Sequence, residues 1–180
     1  MSSNQDRQNV DEIEYKESLL SSLYEEYYDK IARYAFVRIG NTAEAEDIAG
    51  EVFLKALKSL KSYKERGVPM QAWLFRIAHN LIVDYFRKNK KYVKVPIDNL
   101  QIESDINPSA IVERNSEVNR VKEAMEQLTY EQREVIKLRF FGELSSKEAG
   151  EVLNKSDGAV REMQRAAIER LRKILTSDYR

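Results

Sequence analysis

From Glu14 to Lys91, apolar residues return every three or four positions almost without interruption. That spacing commits the stretch to amphipathic helices stacked on a shared core. Leu19, Leu23, Tyr27, Ile31 and Tyr34 form one stripe, widened by Leu20, Tyr24, Ala35 and Phe36. Gly40 stops that helix, and Asn41 or Thr42 caps the next, with Glu44, Glu46 and Asp47 near its positive end. The second helix buries Ala45, Ile48, Ala49, Val52, Phe53, Ala56 and Leu60, and "KERGVP" turns the chain into the helix "AWLFRIAHNLIVDYFRKNKK". On a wheel of about 100° per residue, Leu74, Phe75, Ile77, Ala78, Leu81, Ile82, Tyr85 and Phe86 share the core-facing arc. The opposite arc gathers Trp73, Arg76, His79, Asn80, Asp84 and Arg87.

Around this helix the charge is one-sided: Arg66, Arg76, Arg87, Lys88, Lys90, Lys91 and Lys94 face Asp84 alone. Cationic groups beside amide and aromatic groups suit the phosphates and bases of single-stranded or opening DNA. The same residues admit a plainer account, with Trp73 as a core anchor, the basic run solvated, His79 a bystander and Asp84 bridging to Arg87 or Lys88. Lys+Arg and Asp+Glu balance at 30 each over 180 residues, so no global field draws the chain onto nucleic acid.

Composition narrows the chemistry. There is no cysteine and one histidine, which argues against disulfides, thiolate or histidine metal sites, and nucleophilic catalysis. A protein that is no enzyme, with no cofactor and no metal, is expected. No apolar run approaches the roughly 20 residues of a membrane span, so no membrane insertion is expected. The polar start "MSSNQDRQN" lacks the pattern of a signal peptide, which points to a cytoplasmic protein. With ends this short, no large regulatory extension is expected.

Residues 1–13 are polar and expected to fray. Residues 92–113 lose the helical repeat, hold two of the three prolines and turn acidic, as a flexible linker would. Periodicity returns from Arg114 in helices expected at 118–128, 130–141, 146–153 and 157–175. The fold class is therefore all-α: two small helical domains, 14–91 and 114–180, joined by a linker at 92–113.

The second domain contains "LSSKEAGEVLNKSDGAVREMQRAAIERLRKIL". Ser145 and Glu148 make a capping box, Asn154 tolerates the left-handed conformation of a helix stop, and Ser156 caps a new helix with Asp157 at its positive end. Helix, short turn, capped helix is the layout of a DNA-reading helix-turn-helix. Val160, Met163, Ala167, Leu171 and Ile174 face inward, leaving Arg161, Glu162, Gln164 and Arg165 outside. Arg commonly reads guanine, Gln adenine, and Glu accepts from cytosine. An antiparallel helix pair with a solvated face is the alternative that the spacing leaves open. Gly150 fits either account by allowing close approach.

Taken together, "AEDI..EVFLKA", "AWLFRIA.N...D..R" and "GAV…Q", in that order and with that gap, resemble bacterial sigma factors of the extracytoplasmic-function group, the minimal kind with only regions 2 and 4. The resemblance covers about 15–91 and 116–176. It implies promoter-specific initiation by core RNA polymerase. Glu46, Asp47, Glu51, Phe53 and Lys55 would then dock on the β′ clamp helices. The loop 62–70 and its following helix would recognise and melt the −10 element, with Trp73, Arg76, Asn80, Arg87, Lys88 and Lys91 at the DNA. Region 4 would read the −35 element through Arg161, Glu162, Gln164 and Arg165, with its other surface on the β flap. A separate anti-sigma factor is a further partner the resemblance allows. Three positions depart from the family pattern: Gly50 replaces a usual Gln, Lys155 a usual apolar turn residue, and Ala166 a usual basic one. Two other readings remain, a stand-alone helix-turn-helix regulator and a helical interaction protein with solvated faces.

Overall fold

The computed structural model describes the backbone of residues 2–60, 68–89 and 108–177, and the side-chain surroundings of 14–60, 68–89 and 117–176. Its elements are α1 (Ser2–Ile39), α2 (Thr42–Ser59), α3 (Met70–Asn89), α4 (Pro108–Glu126), α5 (Tyr130–Ile136), a π-turn at Lys137–Phe141, α6 (Ser146–Leu153) and α7 (Asp157–Ser177). No strand occurs among the described residues.

Local sequence explains most boundaries. Residues 2–39 contain neither Gly nor Pro, so nothing breaks α1, and it begins at Ser2 rather than after the expected frayed start. It ends at Gly40, whose φ of 75° only glycine adopts cheaply. Of the two candidate caps for α2, Asn41 serves: its side chain accepts the Glu44 N–H at 3.0 Å. Helix α4 reaches into the expected linker, starting at Pro108, a residue preorganised for a first helical turn. The rest of that linker lies outside the described residues. Thr129 and Gln132 form a second capping box, at the start of α5.

The expected core positions of α1, α2 and α3 close on one another around Ile31, Tyr34, Val52, Leu74, Phe75 and Ile82. The same cluster continues into Val135, Leu138, Leu144, Ala149, Val152 and Val160, so the N-terminal and C-terminal helical groups share one apolar core. Phe75 sits at the junction. Its ring meets Tyr27 and Tyr34 at centroid distances of 6.3 and 5.8 Å, and a methyl at Gly142 would lie 2.8 Å from it. A smaller cluster of Leu128, Ile136 and Ala167 ties α4 and α5 to α7.

Polar bonds seal the same junction. Arg38 on α1 pairs with the buried Glu134 on α5 at 2.5 Å, and Lys30 and Arg33 meet Glu143 at 3.1 and 3.3 Å. Gln71 on α3 donates to Glu148 on α6 at 2.6 Å. The sequence pattern predicts two separate helical groups, and here they lie packed face to face.

Candidate nucleic-acid interface

Helix α6 opens with the expected capping box, in which the Ser145 hydroxyl accepts the Glu148 N–H at 3.2 Å and the Glu148 carboxylate accepts the Ser145 N–H at 2.7 Å. It closes at Asn154, which holds a left-handed φ of 54°. Ser156 then accepts the Ala159 N–H at 3.2 Å and starts α7. Gly150 is required by the turn: a methyl there would stand 2.6 Å from the Lys155 carbonyl oxygen. Lys155 extends from the turn to Glu131 on α5, 2.5 Å away, which gives a polar residue at this position a partner.

Three of the four residues expected to face DNA on α7 are exposed. Arg161 pairs with Asp157 at 2.5 Å, and Arg165 with Glu162 at 3.1 Å. Both pairs lie in solvent and hold their arginines only weakly. Gln164 differs, being half-buried with its Oε1 accepting from Arg139 Nε at 2.8 Å. Arg139, Ser146, Arg161, Gln164, Arg165 and Arg172 border a groove of about 730 Å³ in which arginine predominates. Arg139 was absent from the sequence-based set. Its signal, a basic residue inside an apolar helix, has meaning only once the turn brings α5 beside α7.

Helix α3 presents a second polar surface. Leu74, Phe75, Ala78, Leu81 and Ile82 are buried, as the wheel predicts. Asn80, Arg87 and Lys88 are exposed, and Arg87 takes Asp84 at 3.0 Å. Trp73 is half-buried against the core cluster, closer to an anchor than to a free stacking platform. Lys91 and the loop 61–67 lie outside the described residues. Arg76 is 44% exposed but engaged: its Nε and Nη2 donate to the Glu151 backbone carbonyl on α6, and Nη2 lies 3.5 Å from the Glu151 carboxylate. Helix α6 therefore engages Arg76, at the start of the arc expected to meet DNA, and leaves Asn80 and Arg87 exposed.

His79 is no bystander. Its Nδ1 lies 3.0 Å from the Tyr34 hydroxyl and 3.1 Å from Arg38 Nη1. A guanidinium only donates, so Nδ1 accepts and the proton of the neutral ring sits on Nε2. Burial, then the Arg38 charge, holds the imidazole below its ordinary pKa, with Glu134 opposing. Lys137 lies 3.5 Å from Glu134 and is also pushed down by burial. Nothing local in the sequence marks these groups as partners.

On α2, Glu46, Asp47, Glu51 and Lys55 are exposed, with Lys55 and Glu51 paired at 3.3 Å. Phe53 is buried, with its ring against Tyr24 at 4.8 Å and Tyr28 at 6.4 Å, so it supports the helix from beneath rather than offering a contact. The exposed apolar groups of this helix are Leu54 and Leu57, 59% and 50% exposed, which the sequence-based set left out. Their signal was available, because "VFLKAL" carries more apolar residues than one buried stripe can use. A methyl at Gly50 would meet nothing within 4 Å, so the small residue leaves a bare patch on the helix surface. Among the described residues, no group of acidic and histidine side chains is arranged to hold a metal, and no helix is long and apolar enough to cross a membrane.

Comparison with known proteins finds relatives for both helical groups. Residues 23–92 match the Sigma-70 region 2 family and residues 124–173 the Sigma-70 region 4 family. The chain is 33% identical over 159 residues to the ECF RNA polymerase sigma factor SigW of Bacillus subtilis, covering 83% of this chain and 84% of that one. It is 32% identical over 161 residues to the ECF RNA polymerase sigma factor BldN of Streptomyces coelicolor, covering 88% of this chain but only 61% of that protein's length. Its fold resembles CnrH, solved with the cytosolic domain of CnrY, with a TM-score of 0.65 at 23% identity over 94% of this chain and 96% of that one. It also resembles the sigma factor RpoE of Bartonella quintana, solved with the anti-sigma factor NepR, with a TM-score of 0.64 at 22% identity over 88% and 97%.

Proposed function

Because the chain belongs to the extracytoplasmic-function group of RNA polymerase sigma factors, we propose that it binds core RNA polymerase and directs initiation at promoters, reading a −35 element with α7 and reading and melting a −10 element with α3. The observation that carries this reading is the α6–turn–α7 unit: both helices are capped, the turn is held by Asn154 and Gly150, and Arg161 and Arg165 stand exposed beside the groove. A solvated helix pair would not need so constrained a turn, nor a run of arginines on one side of it.

On α3, Arg76, Asn80, Arg87 and Lys88 are the proposed −10 contacts, with Lys91 continuing the basic strip and Trp73 anchoring the helix at its start. On α2, Glu46, Asp47 and Glu51 would meet the β′ clamp helices, Lys55 beside them, and Leu54 and Leu57 would supply the apolar contact assigned at first to Phe53. Carboxylates around two exposed leucines have the makeup of a docking patch, an apolar centre with a charged rim. The outer face of region 4 would meet the β flap. An anti-sigma protein is a proposed regulator.

This reading requires movement. Arg76 is bound to Glu151 where α6 lies on α3, so Arg76 is free to join the exposed Asn80, Arg87 and Lys88 only after the C-terminal helices leave it. Docking on a polymerase that holds the two groups apart would supply the driving force, and tethering two modest DNA readers to one enzyme multiplies their effect.

The test is reconstitution. The chain plus core polymerase should initiate at a selected promoter where core alone does not. Arg161→Ala with Arg165→Ala should remove −35 dependence without impairing polymerase binding. Tight sequence-specific DNA binding by the free chain, with no polymerase association, would instead support a stand-alone regulator.

A further inference from the structure

Arg139 lies in the π-turn between α5 and α6, where the Gly142 N–H bonds back to the Lys137 carbonyl at 3.1 Å and the wider turn sends the Arg139 side chain toward α7. Its Nη1 donates to the Leu144 carbonyl, and its Nε–H donates to Gln164 Oε1 at 2.8 Å. A guanidinium carries five N–H donors and no acceptor. The amide atom turned toward it must therefore be the oxygen, since the flipped amide would set N–H against N–H. The orientation of Gln164 is thus dictated by its neighbour, and the amide NH2 is left for the groove that Arg161, Arg165 and Arg172 border.

We propose that Arg139 is a positioning residue that makes Gln164 a directed hydrogen-bond donor, so that the −35 base facing Gln164 is selected for a major-groove acceptor and against cytosine. The proposal rests on the reading of α7 as the −35 helix and adds to it the base preference of one position. An unrestrained glutamine grips adenine with both ends, its oxygen on N6 and its nitrogen on N7. With one lone pair of the oxygen held by Arg139 that double grip is weakened, and the NH2 group is what remains free to donate. Guanine O6 and N7, adenine N7, or thymine O4 satisfy it. The N4 amino group of cytosine opposes it donor to donor, and a desolvated donor left unpaired is penalised.

The test uses the full chain with core polymerase, selecting from a promoter pool randomised through the −35 element. Wild type should deplete cytosine at one position by about fivefold or more, the penalty of one desolvated donor left unpaired. Arg139→Ala should relax that depletion to about twofold or less while keeping base rankings elsewhere. Arg139→Lys, which retains a donor, should restore much of it. Gln164→Glu keeps one oxygen on Arg139 and turns a second oxygen to the DNA, so the preference should swing toward cytosine and adenine. Because Gln164→Glu leaves Arg139 in place, it reads the same proposal even if Arg139→Ala fails to fold, which circular dichroism reports.

Uniform weakening on all sequences by Arg139→Ala, or an unmoved base ranking in Gln164→Glu, overturns the proposal. If Arg161→Ala and Arg165→Ala also leave every −35 preference untouched, the assignment of α7 to the −35 element falls with it. A changed ranking in those two variants, with none in Gln164→Glu, sinks the role of Arg139 alone.

Discussion

Arg38 on α1 and Glu134 on α5 stand 96 positions apart and meet at 2.5 Å, with side chains 5% and 1% exposed. The same carboxylate takes Lys137 at 3.5 Å and lies 3.4 Å from the Tyr34 hydroxyl, so one buried charge ties the two helical groups together. Such a pair is costly to desolvate, and its worth shows mainly when one member is lost.

Glu134→Leu should therefore destabilise the chain by about 3 to 5 kcal/mol, because Arg38 and Lys137 are left buried without a counter-charge. Adding Arg38→Met should recover much of that loss, since an apolar pair of similar volume often replaces a buried ion pair at little cost. Urea unfolding of the two single variants and the double variant, read as a cycle, checks this. Additive losses would mean that the two side chains do not act as a pair.

The histidine in this cluster gives a pH dependence of known sign. Tyr34 and Arg38 face His79 from α1, and Glu134 faces it from α5 with Lys137 beside. Burial and Arg38 lower its pKa in the fold, so the unfolded chain binds more protons than the folded chain as pH falls through the ordinary histidine range. Stability should drop on going from roughly pH 7 to pH 5, and His79→Gln should flatten that slope. Melting temperatures of both proteins across this window test it, and identical slopes would rule the histidine out as their source.

Two glycines should respond in opposite directions. Gly50 is mid-helix with open space around its would-be Cβ, so Gly50→Ala should stabilise by about 0.5 to 1 kcal/mol through helix propensity alone. A methyl at Gly142 would stand 2.8 Å from both the Phe75 ring and the Leu138 carbonyl oxygen, so Gly142→Ala should destabilise by about 1 to 3 kcal/mol. Thermal or urea unfolding distinguishes them. Equal effects would mean the packing of Phe75 against Gly142 is looser than these distances.

What could be read from the sequence was local. Gly40, the Ser145–Glu148 box, Asn154 and Ser156 act within a few residues of themselves, so their chemistry is visible in one dimension. The buried faces of α2 and α3 followed from periodicity for the same reason. Arg38, Glu134 and His79 each look like ordinary surface residues, and only long-range packing turns them inward. Periodicity puts Phe53 in the buried stripe of α2 and the family resemblance puts it on a partner surface, and Tyr24 and Tyr28 claim its ring. Gln164 sits at the edge of the α7 stripe, where a wheel cannot tell outside from half-covered.

The contact between α3 and α6 leads to the most direct test of the proposed function. Gln71 and Glu148 hydrogen-bond at 2.6 Å across it, and neither was assigned a DNA or polymerase contact. The chain has no cysteine, so a pair introduced at these two positions would be its only thiols. Joining them with a short, reducible thiol cross-linker should keep Arg76 beneath Glu151 and hold the C-terminal helices on α3. The joined protein should lose promoter-dependent initiation with core polymerase, and reduction should restore it. The unjoined double variant controls for the substitutions themselves. Full initiation by the joined protein would mean that α3 reaches the −10 strand without α6 leaving it, and the requirement for opening would be abandoned.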